Sequence, residues 1–206
     1  METIIYLVRH GESEGNKAKM MRGRKDFNLT SEGERQAKAI ARIAKEWKLS
    51  AIFTSPLTRA KKTAKFIGRE TKITPEIDEG FINIQLGVWE GKRQDWVSKN
   101  YPDEWSIWKT KPEVLIFPGF EPLSKVGRRS YESLLKRTKE YTGRNICIVS
   151  HRAVLKCLIA KVLEIKAPYY WKIRMNTGSY SRIIYDGKIY YLDIFNEINH
   201  LQKEFI

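Results

Sequence analysis

Cysteine and histidine are scarce in this chain, which holds two of the first and three of the second among 206 residues. Cys147 and Cys157 both lie inside apolar segments. That excludes a disulfide framework and reads as two small buried hydrophobes in a reducing, cytoplasmic setting. Long apolar runs are also missing. No stretch approaches the roughly 20 apolar residues of a membrane span, and the run after Met1, flanked by Glu2 and Arg9, is too short for a secretory leader. No tract of proline, glycine and serine divides the chain, so residues 1–206 read as one domain. Acidic residues are the last shortage, 24 against 38 Lys and Arg, which leaves a formal charge of +14. Such an excess suits nucleic acid, a membrane surface or an anionic substrate. Lys and Arg are interleaved with Glu over 38–48 and 61–72, however, as on a solvated face, so nucleic acid and membrane are the weaker readings.

What is present is an alternation of strand and helix signals. Ile4 to Val8 is a short apolar run. Thr30-Ser31-Glu32-Gly33-Glu34 supplies a helix N-cap, and Ala37, Ile40, Ala41, Ala44 and Trp47 follow at helical spacing. Ala51 to Thr54 predicts a strand, and Ser55-Pro56 starts a second helix with Ala60, Ala64 and Ile67 inward. Ile73 to Ile77 predicts a third strand. Residues 78–125 show no sustained period and hold Trp89, Trp96, Trp105 and Trp108; they read as an insertion packed over one end of the sheet. A helix over 124–141, a strand over 145–150 and a helix over 153–164 come next. Asp186-Gly187 then predicts a tight hairpin between 181–185 and 188–194, so a mostly parallel sheet becomes mixed at one edge.

His10 and His151 each follow an apolar run, at the strand ends where ligands of parallel sheets sit. The first strand also delivers Arg9 and, after a short loop, Asn16; the second leads to Arg59 on the first turn of a helix. Two imidazoles with two guanidiniums make an anion site, because arginine offers a planar fork of donors to phosphate oxygens. A metal is disfavoured: no third histidine or paired acid accompanies them, and the arginines repel a cation. The same cations disfavour a protonated His10 and keep one ring nitrogen free as a nucleophile.

Leu7-Val8-Arg9-His10-Gly11-Glu12-Ser13 with Asn16, then Thr54-Ser55-Pro56-Leu57-Thr58-Arg59-Ala60, Leu86-Gly87-Val88-Trp89-Glu90-Gly91 and Val149-Ser150-His151 resemble, in order, the motifs of the histidine phosphatase superfamily, the phosphoglycerate mutase-like group. The resemblance implies a three-layer α/β/α sandwich with a mostly parallel, mixed central sheet and an irregular or helical insertion over the active site. It implies a covalent phosphohistidine on His10, a phosphoryl clamp of Arg9, Arg59 and His151, a hydrogen bond from Asn16, and no metal or organic cofactor. The substrate would be a small phosphorylated metabolite; a homodimer is left open.

The chain departs from that pattern where the family places its proton-donating Glu, three residues before Leu86: the residue here is Asn83. An amide can hold a leaving oxygen but cannot protonate it. Asp78 or Glu79 could reach the site along a shifted loop, the natural leaving group could need little protonation, or hydrolytic activity could be reduced. Glu90 is a poorer stand-in. Arg152 stands where many relatives have Gly and is, with Arg22 and Arg24, a candidate substrate contact. The leading reading is a cofactor-independent phosphomonoester hydrolase. The alternatives are a phosphoglycerate mutase and a non-catalytic phosphate- or RNA-binding protein.

Overall fold

A computed structural model describes residues 1–202. In chain order the elements are β1 (Thr3–Arg9), a one-turn α1 (Glu14–Lys17), β2 (Met20–Met21), α2 (Ser31–Ala44), β3 (Leu49–Thr54), α3 (Thr58–Thr71) and β4 (Glu76–Ile77). There follow β5 (Lys92–Arg93), α4 (Gln94–Asn100), α5 (Pro102–Thr110), α6 (Leu123–Glu140), β6 (Asn145–Ser150), α7 (Arg152–Val162), β7 (Tyr180–Tyr185) and β8 (Tyr190–Glu197). The main sheet runs in the order β4-β3-β6-β1-β7-β8, parallel through β1 and antiparallel from β7 on.

Both faces of the central strands are covered, which is why they read as continuous apolar runs. Ile5, Leu7, Phe53, Ile146 and Ile148 point to one side and pack on Leu134 of α6 and Leu155, Leu158 and Ile159 of α7. Tyr6, Val8, Ile52, Cys147 and Val149 point to the other, against Ile40 and Ala44 of α2 and Ala60, Ala64 and Ile67 of α3. The result is the three-layer α/β/α sandwich with a mixed sheet. Both cysteines are free and buried. Among the described residues no helix is long and apolar enough to cross a membrane.

The segment after β4 folds over the carboxyl ends of the strands. Trp89 and Trp108 are fully or nearly buried with Ile84, Leu86, Phe120, Val154 and Tyr170, while Trp96 stays exposed beneath Lys92, whose Nζ is 4.8 Å from its ring. The segment is more helical than its sequence suggests, because α4 and α5 are short and break at Tyr101, leaving no long period to read.

Three boundaries differ from expectation. The strand read over Ile73 to Ile77 is confined to Glu76–Ile77: Lys72 turns left-handed (φ 59°), the Ile73 N–H returns to Gly68 O, and Pro75 has no N–H to pair. The helix read from Ser55 begins at Thr58, whose N–H and hydroxyl both donate to the Asp26 carboxylate, while the Ser55 N–H extends the ladder to Val149 O. The hairpin turn is tight but sits one residue later than read, on Gly187 and Lys188, with the Asp186 N–H donating to Ile189 O. Asp186 Oδ1 accepts from the N–H groups of Lys188 and Ile189 and holds that turn, and the second strand starts at Tyr190 opposite Tyr185.

Candidate active site

His10 follows the last residue of β1 and is buried, and its backbone is fastened on both sides: its N–H donates to Ser150 O and its carbonyl accepts from Gly178 N. Its ring Nδ1 lies 2.6 Å from Gly11 O. A nitrogen facing a carbonyl must carry the proton, so in the neutral ring Nε2 holds the lone pair. Burial, then Arg59 and Arg9, hold the His10 pKa well below the ordinary histidine value. Gly11 is required here because a Cβ on it would stand 2.2 Å from Gly33 O; the loop and the start of α2 touch backbone to backbone.

His151 ends β6, with its ring centroid 5.0 Å from that of His10 and the planes at 60°. Its Nε2 is 2.7 Å from Ser55 Oγ, and Ser55 Oγ also accepts from the Leu57 N–H. Among the described residues the Ser55 hydroxyl has no other acceptor for its proton, so it donates to Nε2, which puts the imidazole proton on Nδ1. That Nδ1 is buried and has no partner among the described residues. Burial, with Arg59 next, also keeps this ring neutral.

The arginines divide by what already occupies them. Arg9 gives one Nη to Met175 O and leaves a buried Nε unpartnered. Arg59, fully buried, donates to Lys25 O and Gly23 O at 3.0 and 2.9 Å and lies 3.6 Å from Asp26; burial lowers it to about 10. Arg22 donates to Gly15 O and Met20 O and is lowered to about 9 by burial and then by Arg152 and Arg59. Arg9, His10, Arg22, Asn83, His151 and Arg152 line one cavity of about 190 Å³, walled by Trp105, Trp108, Tyr170 and Trp171. Among the described residues no Asp or Glu lines it.

Three candidates do not line it: Arg59, whose guanidinium donates to Lys25 O and Gly23 O, and two that are turned elsewhere. Arg24 does not line the cavity: its guanidinium reaches Glu121 at 3.3 Å and the Asn83 carbonyl at 3.2 Å. Asn16 does not line it either, and its Oδ1 accepts from both the N–H and the hydroxyl of Ser13, capping α1. Neither acid proposed to replace the missing donor reaches the cavity. Asp78 accepts from Gly80 N, Ser133 Oγ and Arg137 Nε, which point it at α6, and Glu79 is exposed. Glu90 is likewise engaged, its Oε1 accepting from the N–H groups of Arg24 and Leu86.

Sequence reasoning passed over Glu121. It is buried and accepts from Arg129, Arg24 and the Gln85 N–H; burial pushes its pKa up, but these donors outweigh it and hold it low. Arg129 also donates to the carbonyls of Gly80 and Asn83, so this pair fixes the segment that carries Asn83. The acid lies 97 positions from Arg24, beyond any local signal. Among the described residues no group of three or more His, Cys, Asp and Glu is placed to hold a metal ion.

Comparison with known proteins agrees with this geometry. A family model described as histidine phosphatase superfamily (branch 1) matches residues 5–198. Phosphoserine phosphatase 1 of Hydrogenobacter thermophilus is 29% identical over 87% of this chain and 85% of the relative. A probable phosphoglycerate mutase of Cronobacter sakazakii is 30% identical over 88% and 84%. The solved structure of Bacillus stearothermophilus YhfR superposes with a TM-score of 0.93 at 28% identity, covering 97% of this chain and 99% of that one.

Proposed function

The chain belongs to the histidine phosphatase superfamily, and from that premise we propose that it hydrolyses small phosphomonoesters through a phosphohistidine on His10. The observation that carries this is the hydrogen bond from Nδ1 of His10 to Gly11 O, which leaves Nε2 as a lone pair in a pocket of unspent donors. Nε2 attacks phosphorus in line; the P–N bond forms as the bond to the leaving oxygen breaks, and Nδ1 keeps its proton against Gly11 O. The phosphorylated ring is then cationic and leaves readily. Water attacks phosphorus, the P–N bond breaks, both water protons depart on dihydrogen phosphate, and His10 returns neutral. Arg9, Nδ1–H of His151 and Arg22 stabilise the charge on the equatorial oxygens. Arg59 acts on that charge from behind the loop whose carbonyls it holds.

The leaving oxygen meets no carboxylic acid. Asn83, the residue at that position, lines the cavity and is an amide. Aryl and acyl phosphates, whose leaving groups need little protonation, should therefore outpace alkyl phosphates by about 10²-fold or more, the usual contribution of a positioned acid. The buried free thiols suit the reducing cytoplasm.

Incubation with radiolabelled acetyl phosphate tests the covalent step. An acid-labile label in the parent, absent in His10→Ala, is the expected result; equal labelling, or none in either, would leave an anion-binding protein. Measuring phosphate release beside isomer exchange on 3-phosphoglycerate separates a hydrolase from the mutase reading.

A further inference from the structure

The third histidine of the chain, His200, does not line the phosphoryl pocket, yet it is only 7% exposed, in a short helical turn (Asn199–Leu201) that follows β8. Its Nε2 lies 2.9 Å from Gly178 O, and its Nδ1 is buried with no partner among the described residues. A ring nitrogen facing a carbonyl carries the proton, so Nε2–H is the donor. Burial holds the ring below the ordinary histidine pKa, although the bond to Gly178 and the charge of Glu197 act the other way. The ring centroid is 5.8 Å from that of Tyr180, and an apolar side chain would fill that space without burying an unpaired ring nitrogen. What the imidazole adds is the hydrogen bond to Gly178.

The far end of that bond bears on the nucleophile. Gly178 is left-handed (φ 68°), and a Cβ on it would stand 2.8 Å from Gln36 Cβ, so it has the freedom of glycine and no side chain to restrain it. Its carbonyl is held by His200, and its N–H donates to the His10 carbonyl at 3.2 Å. The same His10–Gly11 peptide unit donates its N–H to Thr63 Oγ1 at 3.2 Å. These two bonds fix the residue whose carbonyl lies 2.6 Å from His10 Nδ1. A rotation of Gly178 would free one side of that peptide, and with it the acceptor that keeps the proton on Nδ1. The turn carrying His200 is itself anchored, since Arg35 of α2 donates to Leu201 O at 3.3 Å.

We propose that His200 is a positioning residue for the nucleophile: through Gly178 it fixes the His10–Gly11 peptide, and so the tautomer and aim of the attacking nitrogen. This rests on the hydrolase reading. The family model matches residues 5–198, so the clamp lies outside the span that this chain shares with that model. It should act on kcat rather than on substrate binding, because His200 stands behind the loop and not in the cavity.

The test compares the parent with His200→Leu, which fills the space without a donor, and His200→Gln, which returns an N–H at the position of Nε2. With 4-nitrophenyl phosphate, kcat of His200→Leu falls about tenfold or more while KM stays within about twofold, and His200→Gln recovers most of the loss. Equal kcat in all three, an equal loss in both variants, or a change carried by KM overturns the proposal. If His200→Leu does not fold, His200→Asn, one methylene shorter than the reach to Gly178 O, takes its place. NMR of the His10 ring nitrogens keeps the two readings apart. If no substrate turns over, the hydrolase reading fails, yet loss of the Nδ1–H state in His200→Leu and its return in His200→Gln would still support the clamp, and a spectrum unchanged in both would reject it.

Discussion

The side-chain amide of Asn83 and the guanidinium of Arg59 converge on one acceptor, the carbonyl oxygen of Gly23, at 2.7 and 2.9 Å. The amide is therefore a strut between the segment that covers the site and the loop that carries Arg22. A carboxyl group at position 83 could repeat the contact only by keeping its proton and donating it, since a carboxylate would face a carbonyl oxygen.

Asn83→Glu, one methylene longer and able to leave the contact with Gly23 O, should bring a carboxylic acid to the leaving-group end. We expect hydrolysis of alkyl phosphates to rise by about 10²-fold and that of aryl phosphates to change far less. Parallel kcat measurements on glycerol phosphate and 4-nitrophenyl phosphate check this, and an equal effect on both removes Asn83 as the cause of any leaving-group preference.

The neutral state of His10 sets the pH range. Burial, then Arg59 and Arg9, depress its folded pKa, whereas the unfolded chain titrates near about 6.5. Below that value the unfolded state binds a proton that the native state refuses, so this residue makes stability fall as pH falls, and His151 adds to the same trend. The nucleophile itself stays unprotonated there. The acid limb of kcat/KM for 4-nitrophenyl phosphate should lie below about 6.5 while the urea midpoint already declines. A limb at or above an ordinary histidine pKa contradicts it.

Ser55 fixes the tautomer of His151 through the 2.7 Å contact to Nε2. Ser55→Ala should lower kcat by about 10- to 100-fold, less than outright loss of a phosphoryl donor. Its thermal midpoint should move little. NMR of the ring nitrogens supplies the readout that a packing effect would not alter: the proton redistributes from Nδ1 in the variant.

Lys156→Met should stabilise the fold in mild acid. The folded pKa of about 7 lies below the ordinary lysine value, so between the two the unfolded chain binds more protons and the parent gains stability as pH rises. Below pH 7 the parent carries the whole cost of a buried charge crowded by Arg152 and Arg9. Replacing it should gain about 1–3 kcal/mol at pH 6, less about 1 kcal/mol for the unpaired Tyr170 carbonyl, and the gain should shrink towards pH 9. Urea titrations at both pH values decide, and a pH-independent loss would be the contrary result.

Gly33→Ala should destabilise by at least about 2 kcal/mol, because the new Cβ would stand 1.8 Å from Glu12 O and push the nucleophile's loop away from α2. A thermal melt beside 4-nitrophenyl phosphate kinetics reads both consequences.

Much of this was legible from residue order. Apolar runs ending in Arg9-His10 and Ser150-His151 announce covered parallel strands with polar groups at their carboxyl ends, and the structure stacks those ends side by side in the β6–β1 pairing. What stays hidden is which donors are already engaged. Arg22 and Arg24 are alike in sequence, on either side of Gly23, yet one lines the cavity and the other meets Glu121. Lys156 reads as a helix-surface lysine until Tyr170 and Trp171 close over it. Both outcomes depend on partners that only the tertiary fold brings near.

The fastening of β1 has a consequence for how the protein comes into being. Arg9 donates its N–H to Ser179 O and its guanidinium to Met175 O, and the His10 carbonyl receives the Gly178 N–H. Arg9 thus leaves the ribosome 166 residues ahead of Met175, the partner that fastens it, so a nascent chain halted before β7 would hold its central strands while Arg9 and His10 were still unsecured.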